Sequence, residues 1–280
     1  MKKLFLLFIT ALLIFPMFSS SAATTGEIKT FTTTIQNKQR TYLVYRPLIC
    51  KNKTCPVLFM FHGIGGTAQQ AADNYGWKET ADKNNFIAVF PESLTLPKKD
   101  AIVFGINYYP NYDPAGKHWD IANITLPLLQ RYKTQDTEFV STIIDQLNTN
   151  YKILKTHIFT TGHSYGAFFS YYISMCLPDK ITAFASHSGG YTKYFMNYDF
   201  PISARNAKNN AAYLMPGIVL HSPKDTTVSY QWSVNLVNEM KAKSQPYQFI
   251  TLADSLLHNW DLTKNQAQWD FFVKNSTAIK

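Results

Sequence analysis

The sequence feature that most constrains the fold is a set of short, continuously apolar runs that alternate with segments of helical periodicity. Residues 57–61 read Val-Leu-Phe-Met-Phe and residues 86–90 read Phe-Ile-Ala-Val-Phe, lengths that suit strands better than helices. Between residues 137 and 151, the apolar side chains recur on one helical face instead. Continuous apolarity is typical of strands buried on both faces of a parallel sheet. The pattern therefore predicts an α/β fold with a mostly parallel central sheet and helices on both faces.

The remaining segments continue this alternation. Residues 29–35 and 41–45 are rich in Thr, Val and Tyr, and they predict an N-terminal antiparallel hairpin that turns around residues 37–40. Further strands are predicted at 157–160, 181–186, 217–220 and 247–252, and further helices at 68–84, 165–177, 228–242 and 264–273.

The N-terminus has the pattern of a secretory signal peptide. A basic pair, Lys2 and Lys3, precedes an apolar stretch at 4–18 and the small residues of 21–23. We predict a signal peptide at 1–23, export to the periplasm or the medium, and no stable membrane insertion after cleavage; an uncleaved anchor is the alternative. Residues 24–280 are predicted to form one domain with loop inserts at about 92–131 and 191–213. The aromatic residues of both inserts predict either a cap over a cleft or simple packing onto the body.

Charge and cysteine usage limit the partners. The formal net charge is +9, but the lysines are scattered and no Arg-rich cluster occurs, so no nucleic-acid partner is predicted. Cys50 and Cys55 are separated by four residues and predict a small disulfide loop in an oxidising compartment. Cys176 is left as a buried free thiol. A metal site would need more ligands than the cysteine pair offers, so no metal is predicted, and the oligomeric state is left open.

A G-x-S-x-G motif lies where a predicted strand meets a predicted helix. The motif is Gly162-His163-Ser164-Tyr165-Gly166. In that context the sharp turn of a nucleophile elbow lifts the serine hydroxyl above the sheet, and the flanking glycines leave room for the crossing chain. Ser164 is therefore the predicted nucleophile. A serine hydroxyl is weak at neutral pH and needs an adjacent base.

The base and its acidic partner are expected further along the chain, in the order serine, acid, histidine. His258 lies just after the last predicted strand and is the predicted base. Asp225, which follows the strand at 217–220, is the predicted acid, with Asp254 as the alternative. The other histidines are expected to be hydrogen-bonded structural residues.

An oxyanion hole needs two backbone N–H groups. One is predicted at Tyr165, directly after the nucleophile. The other is predicted at Ile64, with Gly65 as the alternative, in a Gly-rich loop that follows the strand at 57–61. The residues predicted to contact substrate are His62, Gly63, His163, Trp119 and Trp260.

These motifs resemble the polyhydroxybutyrate depolymerase and feruloyl esterase group of secreted α/β-hydrolases. The resemblance rests on residues 159–167, the Cys-Leu-Pro-Asp run at 176–179, the Ser-His-Ser-Gly run at 186–189 and the loops at 221–228 and 258–260. It departs at Tyr165, where that group often has a small or amide residue, and at Asp261, where the group tends to have Pro. The resemblance implies an α/β-hydrolase fold and an ester substrate, possibly polymeric.

The predicted function is carboxylic-ester hydrolysis through an acyl-enzyme, with no cofactor. Polyesters, feruloylated or acetylated polysaccharides and short-chain esters are all candidate substrates. Two alternatives remain open: an acyltransferase on the same fold, and a non-catalytic module that binds carbohydrate or polymer through the aromatic inserts.

Overall fold

A computed structural model describes residues 25–95, 117–121, 134–191, 204–205 and 212–276. The predicted signal segment 1–23 lies outside these residues, as does most of each predicted loop insert. No helix in the described ranges combines the length and apolarity that a membrane span requires.

The described elements alternate between strands and helices as predicted. In chain order the strands are β1 Glu27–Ile35, β2 Lys38–Arg46, β3 Cys55–Phe61, β4 Ile87–Pro91, β5 Leu94–Thr95, β6 Lys117–His118, β7 Ile153–Gly162, β8 Ala183–His187, β9 Ala204–Arg205, β10 Ala212–Tyr213, β11 Gly217–His221 and β12 Tyr247–Thr251. The helices are α1 Ala68–Asn74, α2 Trp77–Asn84, α3 Gln135–Asn150, α4 Tyr165–Cys176, α5 Tyr230–Ala242 and α6 Asn265–Ser276. Short 3-10 turns occur at Leu48–Lys51, Asp254–Leu256 and Leu262–Lys264.

One eight-stranded sheet organises the molecule, in the order β1-β2-β4-β3-β7-β8-β11-β12. Within this sheet, the neighbouring strands β4, β3, β7, β8, β11 and β12 pair in parallel. The first two form an antiparallel hairpin whose second strand pairs antiparallel with β4. The predicted mostly parallel sheet with an N-terminal antiparallel hairpin is confirmed. The small ribbons β5-β6 and β9-β10 lie within the predicted inserts and were not predicted.

The hairpin turns earlier than the sequence pattern suggested. Gln36 and Asn37 both adopt left-handed backbone conformations, with φ of 47° and 63°. Two consecutive positive φ values define the tight two-residue turn that matches the twist of its strands. Pairing therefore begins directly at Ile35 and Lys38, and the predicted four-residue turn at 37–40 is wrong.

The sheet is buried on both faces, as the unbroken apolar run in β3 implied. Val57, Phe59 and Phe61 pack in one core cluster together with side chains of α3, α4 and α5. Leu58 and Met60 point to the opposite face and pack with side chains of α1, α2 and α6. Successive strand residues thus enter two separate cores, which is why β3 has no polar alternation.

The helix predicted over residues 68–84 is two helices. α1 ends at Asn74, and Gly76 adopts a left-handed conformation, φ 66°, before α2 begins at Trp77. A Cβ at this glycine would lie 2.8 Å from the Leu262 side chain, so the break also permits close packing. The break places Tyr75 between the helices, near the loops that follow the strands.

Two of the three cysteines are joined in a disulfide. Cys50 and Cys55 form a disulfide, as predicted, with their Cα atoms 5.8 Å apart. The bond ties the 3-10 turn before β3 to the first residue of that strand. Cys176 is free, and burial raises the pKa of its thiol to about 12, so it is a poor nucleophile at neutral pH.

Candidate active site

Ser164 occupies a strained turn between β7 and α4. Its φ of 56° and ψ of −121° are unusual for a residue with a side chain. The turn is closed by the Gly166 N–H, which donates to the His163 carbonyl at 2.9 Å. The Ser164 N–H donates to the His187 carbonyl at the end of β8, 3.0 Å away. Strain of this kind costs on the order of 1–3 kcal/mol and persists where the surrounding structure holds it.

The two glycines of the motif are required by close backbone packing. A Cβ at Gly162 would lie 2.1 Å from the Gly166 carbonyl oxygen, and a Cβ at Gly166 would lie 2.1 Å from the Phe61 carbonyl oxygen. Distances this short exclude any side chain. We define the elbow as residues 162–166. Its backbone at Gly162 packs directly on the first turn of α4, and its backbone at Gly166 packs directly on the end of β3.

The predicted base and acid meet across two loops. His258 follows β12 and Asp225 follows β11, and His258 Nδ1 lies 2.6 Å from Asp225 Oδ2. The Asp225 side chain is fully buried, whereas the His258 side chain is 20% exposed. A carboxylate can only accept, so Nδ1 carries the proton and Nε2 is left as the basic nitrogen. The alternative acid, Asp254, is exposed and forms no hydrogen bond with His258 among the described residues.

Asp225 is held by four donors. Its Oδ1 accepts the N–H groups of Thr227 at 2.8 Å and Val228 at 2.9 Å. Its Oδ2 accepts from His221 Nε2 at 3.0 Å as well as from His258. Burial raises the pKa of Asp225, but the hydrogen bonds, led by that of His221, outweigh it and hold the pKa well below its usual value. Asp225 is therefore ionised throughout the neutral range.

The Ser164 hydroxyl forms no hydrogen bond with His258 in the described part of the chain. Catalytic hydrogen bonds are often long or poorly aligned in unliganded enzymes and tighten when substrate binds. Contacts other than a hydrogen bond between Ser164 and His258 must therefore hold the elbow and the loop of His258 in their relative positions.

The Gly-rich loop after β3 lies against the nucleophile. A Cβ at Gly63 would be 3.4 Å from the Ser164 Cβ. The Gly65 N–H donates to the Lys117 carbonyl at 2.7 Å. The Ile64 N–H forms no hydrogen bond within the described ranges. Of the two alternatives, only Ile64 has a backbone N–H left over for a ligand.

His62 and Trp119 support this loop from inside the protein. The Trp119 indole N–H donates to the His62 carbonyl at 2.9 Å, and its ring stacks on Phe169 at 4.7 Å. His62 Nδ1 donates to the Gly63 carbonyl, and burial lowers the pKa of His62, so the imidazole is neutral. Trp119 is 0% exposed and His62 is 1% exposed. Their predicted contact with substrate stays a prediction; in this structure they brace the loop.

A buried ion pair behind the loop was not predicted. Arg40 and Asp136 are almost fully buried and are joined at 2.5 Å. The other oxygen of Asp136 accepts the Asp120 N–H at 2.6 Å, which anchors the segment that carries Trp119. Nothing local in the sequence indicates that Arg40 and Asp136 meet, because 96 positions separate them.

The remaining two predicted contact residues lie on the other side of the elbow. His163 turns toward Tyr75 and the loop of His258, with Nε2 2.9 Å from the His258 carbonyl. Trp260 is partly exposed and stacks on His187, with ring centroids 4.4 Å apart. The predicted contact of His163 and Trp260 with substrate stays a prediction. Tyr75, which sequence reasoning missed, packs against Trp260 at 4.9 Å.

Within the described ranges, no group of three or more His, Cys, Asp and Glu side chains is arranged to hold a metal ion.

Comparison with known proteins assigns the family. The model of the Esterase family matches residues 33–270, which include the elbow, the Gly-rich loop, Asp225 and His258. The chain belongs to this esterase family.

Curated relatives match part of the esterase. A bifunctional acetylxylan esterase/xylanase of Neocallimastix patriciarum is 29% identical over 134 residues, 48% of this chain and 16% of that protein. An uncharacterized hydrolase of Acanthamoeba polyphaga mimivirus is 31% identical over 163 residues, 54% of this chain and 49% of that protein. This chain therefore aligns with half or less of the length of these relatives.

Solved structures share the fold. An S-formylglutathione hydrolase from Agrobacterium tumefaciens superposes with a TM-score of 0.65 at 12% identity, covering 91% of this chain and 97% of that one. A ferulic acid esterase from Anaeromyces mucronatus gives 0.58 at 16% identity, covering 91% and 92%. An acetyl xylan esterase from Aspergillus awamori gives 0.63 at 12% identity, covering 88% and 100%. The α/β-hydrolase fold predicted from the sequence is confirmed.

Proposed function

We propose that this esterase hydrolyses carboxylic esters through an acyl-enzyme, with Ser164 as nucleophile, His258 as general base and Asp225 as the acid that orients the base. The observation that carries the proposal is the 2.6 Å contact between His258 Nδ1 and the buried, ionised Asp225. It fixes the tautomer in which His258 Nε2 can accept a proton. The strained turn at Ser164 supports the nucleophile assignment.

The reaction has two steps. His258 Nε2 removes the proton of the Ser164 hydroxyl as the oxygen attacks the ester carbonyl, and the same proton is then given to the departing alcohol. Water, deprotonated by His258, then attacks the acyl-serine. The bond between the acyl carbon and Ser164 Oγ breaks, His258 returns its proton to that oxygen, and the carboxylic acid is released. Asp225 stays ionised throughout and stabilises the imidazolium that forms in each step.

The oxyanion of each tetrahedral intermediate needs two N–H donors. We assign them to Ile64 and Tyr165. The alternative donor, Gly65, is disfavoured because its N–H already donates to the Lys117 carbonyl. The Ile64 N–H forms no hydrogen bond among the described residues, and Gly63 beside it approaches Ser164 closely. The bracing by Trp119 and His62 would keep this loop in place as charge develops.

The substrate class is proposed from the similar proteins. Acetylxylan and ferulic acid esterases are among the similar proteins, which favours acylated polysaccharides over polyesters and short-chain esters. We further propose that residues 1–23 direct export and that 24–280 form a single catalytic domain. The Cys50–Cys55 disulfide supports an oxidising compartment.

A substrate panel tests the proposal. Acetylated xylan, methyl ferulate, hydroxybutyrate oligomers and nitrophenyl acetate would be incubated with wild type, Ser164→Ala and the control Ser229→Ala. Ser229 is exposed and its hydroxyl caps nothing, so its loss should leave activity within about twofold of wild type. Loss of the nucleophile should lower kcat by about 10⁴- to 10⁶-fold. Activity that survives in Ser164→Ala would refute the assignment.

Two further measurements separate the rival functions. A serine-directed fluorophosphonate should label wild type and spare Ser164→Ala; no labelling of wild type would favour the non-catalytic binding module. Product analysis with added sugar or lipid alcohols distinguishes hydrolysis from acyl transfer, because transfer yields a new ester in place of the free acid.

A further inference from the structure

The nucleophile elbow and the loop of His258 are joined directly by a single hydrogen bond among the described residues. His163, the residue before the nucleophile, places Nε2 2.9 Å from the His258 carbonyl oxygen. Ser164 and His258 form no hydrogen bond with each other among the described residues, so this contact is the direct hydrogen-bonded link between the two segments.

The direction of the contact follows from its partners. A carbonyl oxygen only accepts, so His163 Nε2 carries a proton. Nδ1 faces the Tyr75 hydroxyl at 3.3 Å. Burial lowers the pKa of His163 to about 3 and raises that of Tyr75 to about 12, so the imidazole is neutral and the phenol protonated near pH 7. The Tyr75 O–H therefore donates to Nδ1, and Nε2–H donates to His258.

The segment that receives this bond is strained. Leu257 has φ 53° and ψ −122°, almost the same values as Ser164. The Asn259 N–H closes the turn by donating to the Leu256 carbonyl at 3.1 Å. Residues 256–259 thus form a β-turn in which Leu257 and His258 are the two central residues. The backbone conformation of Leu257 is unfavourable for a residue with a side chain. Such a conformation has to be stabilised by contacts with the rest of the protein, and the hydrogen bond from His163 to the His258 carbonyl is one of them.

We propose that His163 is a positioning residue for catalysis, which fixes the backbone of the base to the nucleophile elbow, with the Tyr75 hydroxyl selecting its tautomer. The inference rests on the proposed roles of Ser164 and His258. Asp225 holds the imidazole of the base at Nδ1, and His163 holds its backbone. Both restraints are needed to keep Nε2 aimed at the serine hydroxyl.

The proposal predicts that changes at His163 lower kcat and leave KM almost unchanged, because both ring nitrogens of His163 form hydrogen bonds within the protein. His163→Leu removes the donor, and a displacement of about 1 Å at the base lowers rates by about 100-fold. We expect kcat to fall by about 10- to 100-fold, with KM within about twofold. His163→Gln keeps an N–H donor and should recover most of the loss. Tyr75→Phe should lower kcat by only about 2- to 5-fold.

The control is His157→Gln, a change at a histidine whose ring contacts Thr156 and Phe159 on β7, and which should leave kcat unchanged. Circular dichroism and thermal unfolding show whether each variant is folded. The proposal is overturned if folded His163→Leu keeps the wild-type kcat, or if folded His163→Gln is as slow as His163→Leu.

Hydrogen exchange gives a readout that does not depend on activity. In His163→Leu, the backbone amides of residues 257–260 should exchange at least about tenfold faster than in wild type, and His163→Gln should restore protection. If His163→Leu does not fold, Tyr75→Phe takes its place, and its amides at 257–260 should exchange faster than those of wild type and of His163→Gln. Unchanged exchange in folded His163→Leu, or in Tyr75→Phe where His163→Leu does not fold, overturns the proposal. Absence of activity and of fluorophosphonate labelling in wild type would instead refute the proposed function and leave the exchange test valid.

Discussion

The buried histidines around the elbow should make the folded state sensitive to acid, and His163 allows the effect to be worked out. Its pKa falls from an ordinary value of 6.5 to about 3, because burial disfavours the charged ring and the nearby His258 adds to the effect. Below pH 6.5 the unfolded chain binds a proton that the folded chain does not bind. The free energy of unfolding therefore decreases as the pH falls from 6.5 toward 3.

The size follows from the width of that window. Each pH unit below 6.5 lowers the free energy of unfolding by about 1.4 kcal/mol per such histidine. Between pH 8 and pH 5, His163 should thus account for a decrease of about 2 kcal/mol. His187 and His62, whose pKa values are also lowered by burial, add to the total in the same direction.

The assay is urea unfolding of wild type and His163→Gln at pH 8 and pH 5. Glutamine does not titrate, so the decrease in unfolding free energy between the two pH values should be about 2 kcal/mol smaller in the variant. Other groups near this ring, namely Asp225, His221 and His258, are present in both proteins and cancel in the difference. Equal pH dependence in wild type and His163→Gln would refute the reasoning.

Three more predictions concern single features of the fold and the site. Asp225→Asn should lower kcat for nitrophenyl acetate by about 10³- to 10⁴-fold, because the amide favours the wrong tautomer of the base. Asp254→Asn, at an exposed position, should leave kcat unchanged. If Asp254→Asn lowered kcat more than Asp225→Asn, Asp254 would be the acid. Replacing both Cys50 and Cys55 by Ala should lower the free energy of unfolding by about 2 kcal/mol, measured as a lower thermal midpoint. If neither the double replacement nor a reductant lowered the thermal midpoint, the prediction would be contradicted. Gly162→Ala should destabilise the fold by about 3 kcal/mol or more, because its Cβ would meet backbone at 2.1 Å; a wild-type thermal midpoint would show that the elbow can relax.

Much of the fold was predictable because its signals are local. The apolar run of β3, the helical periodicity of α3 and the strand–helix junction at Ser164 each lie within a short stretch of sequence. The errors were local as well. The hairpin turn was placed too late, because left-handed backbone at Gln36 has no strong sequence signal. The break between α1 and α2 was missed, because one glycine within a helical pattern is compatible with a continuous helix.

The sequence by itself determined the succession of strands and helices along the chain, the elbow with its glycines, and the candidates for base and acid. Only the tertiary structure decided which groups meet: Asp225 rather than Asp254 beside His258, Lys117 on the Gly65 N–H, Arg40 with Asp136, and Tyr75 with His163. These partners lie far apart along the chain, as the 95 positions between His163 and His258 illustrate. Their contacts depend on strand order, on loop paths and on the strained backbone at Leu257. Short-range periodicity carries information about whether a residue is buried, but not about which distant group will share its hydrogen bond.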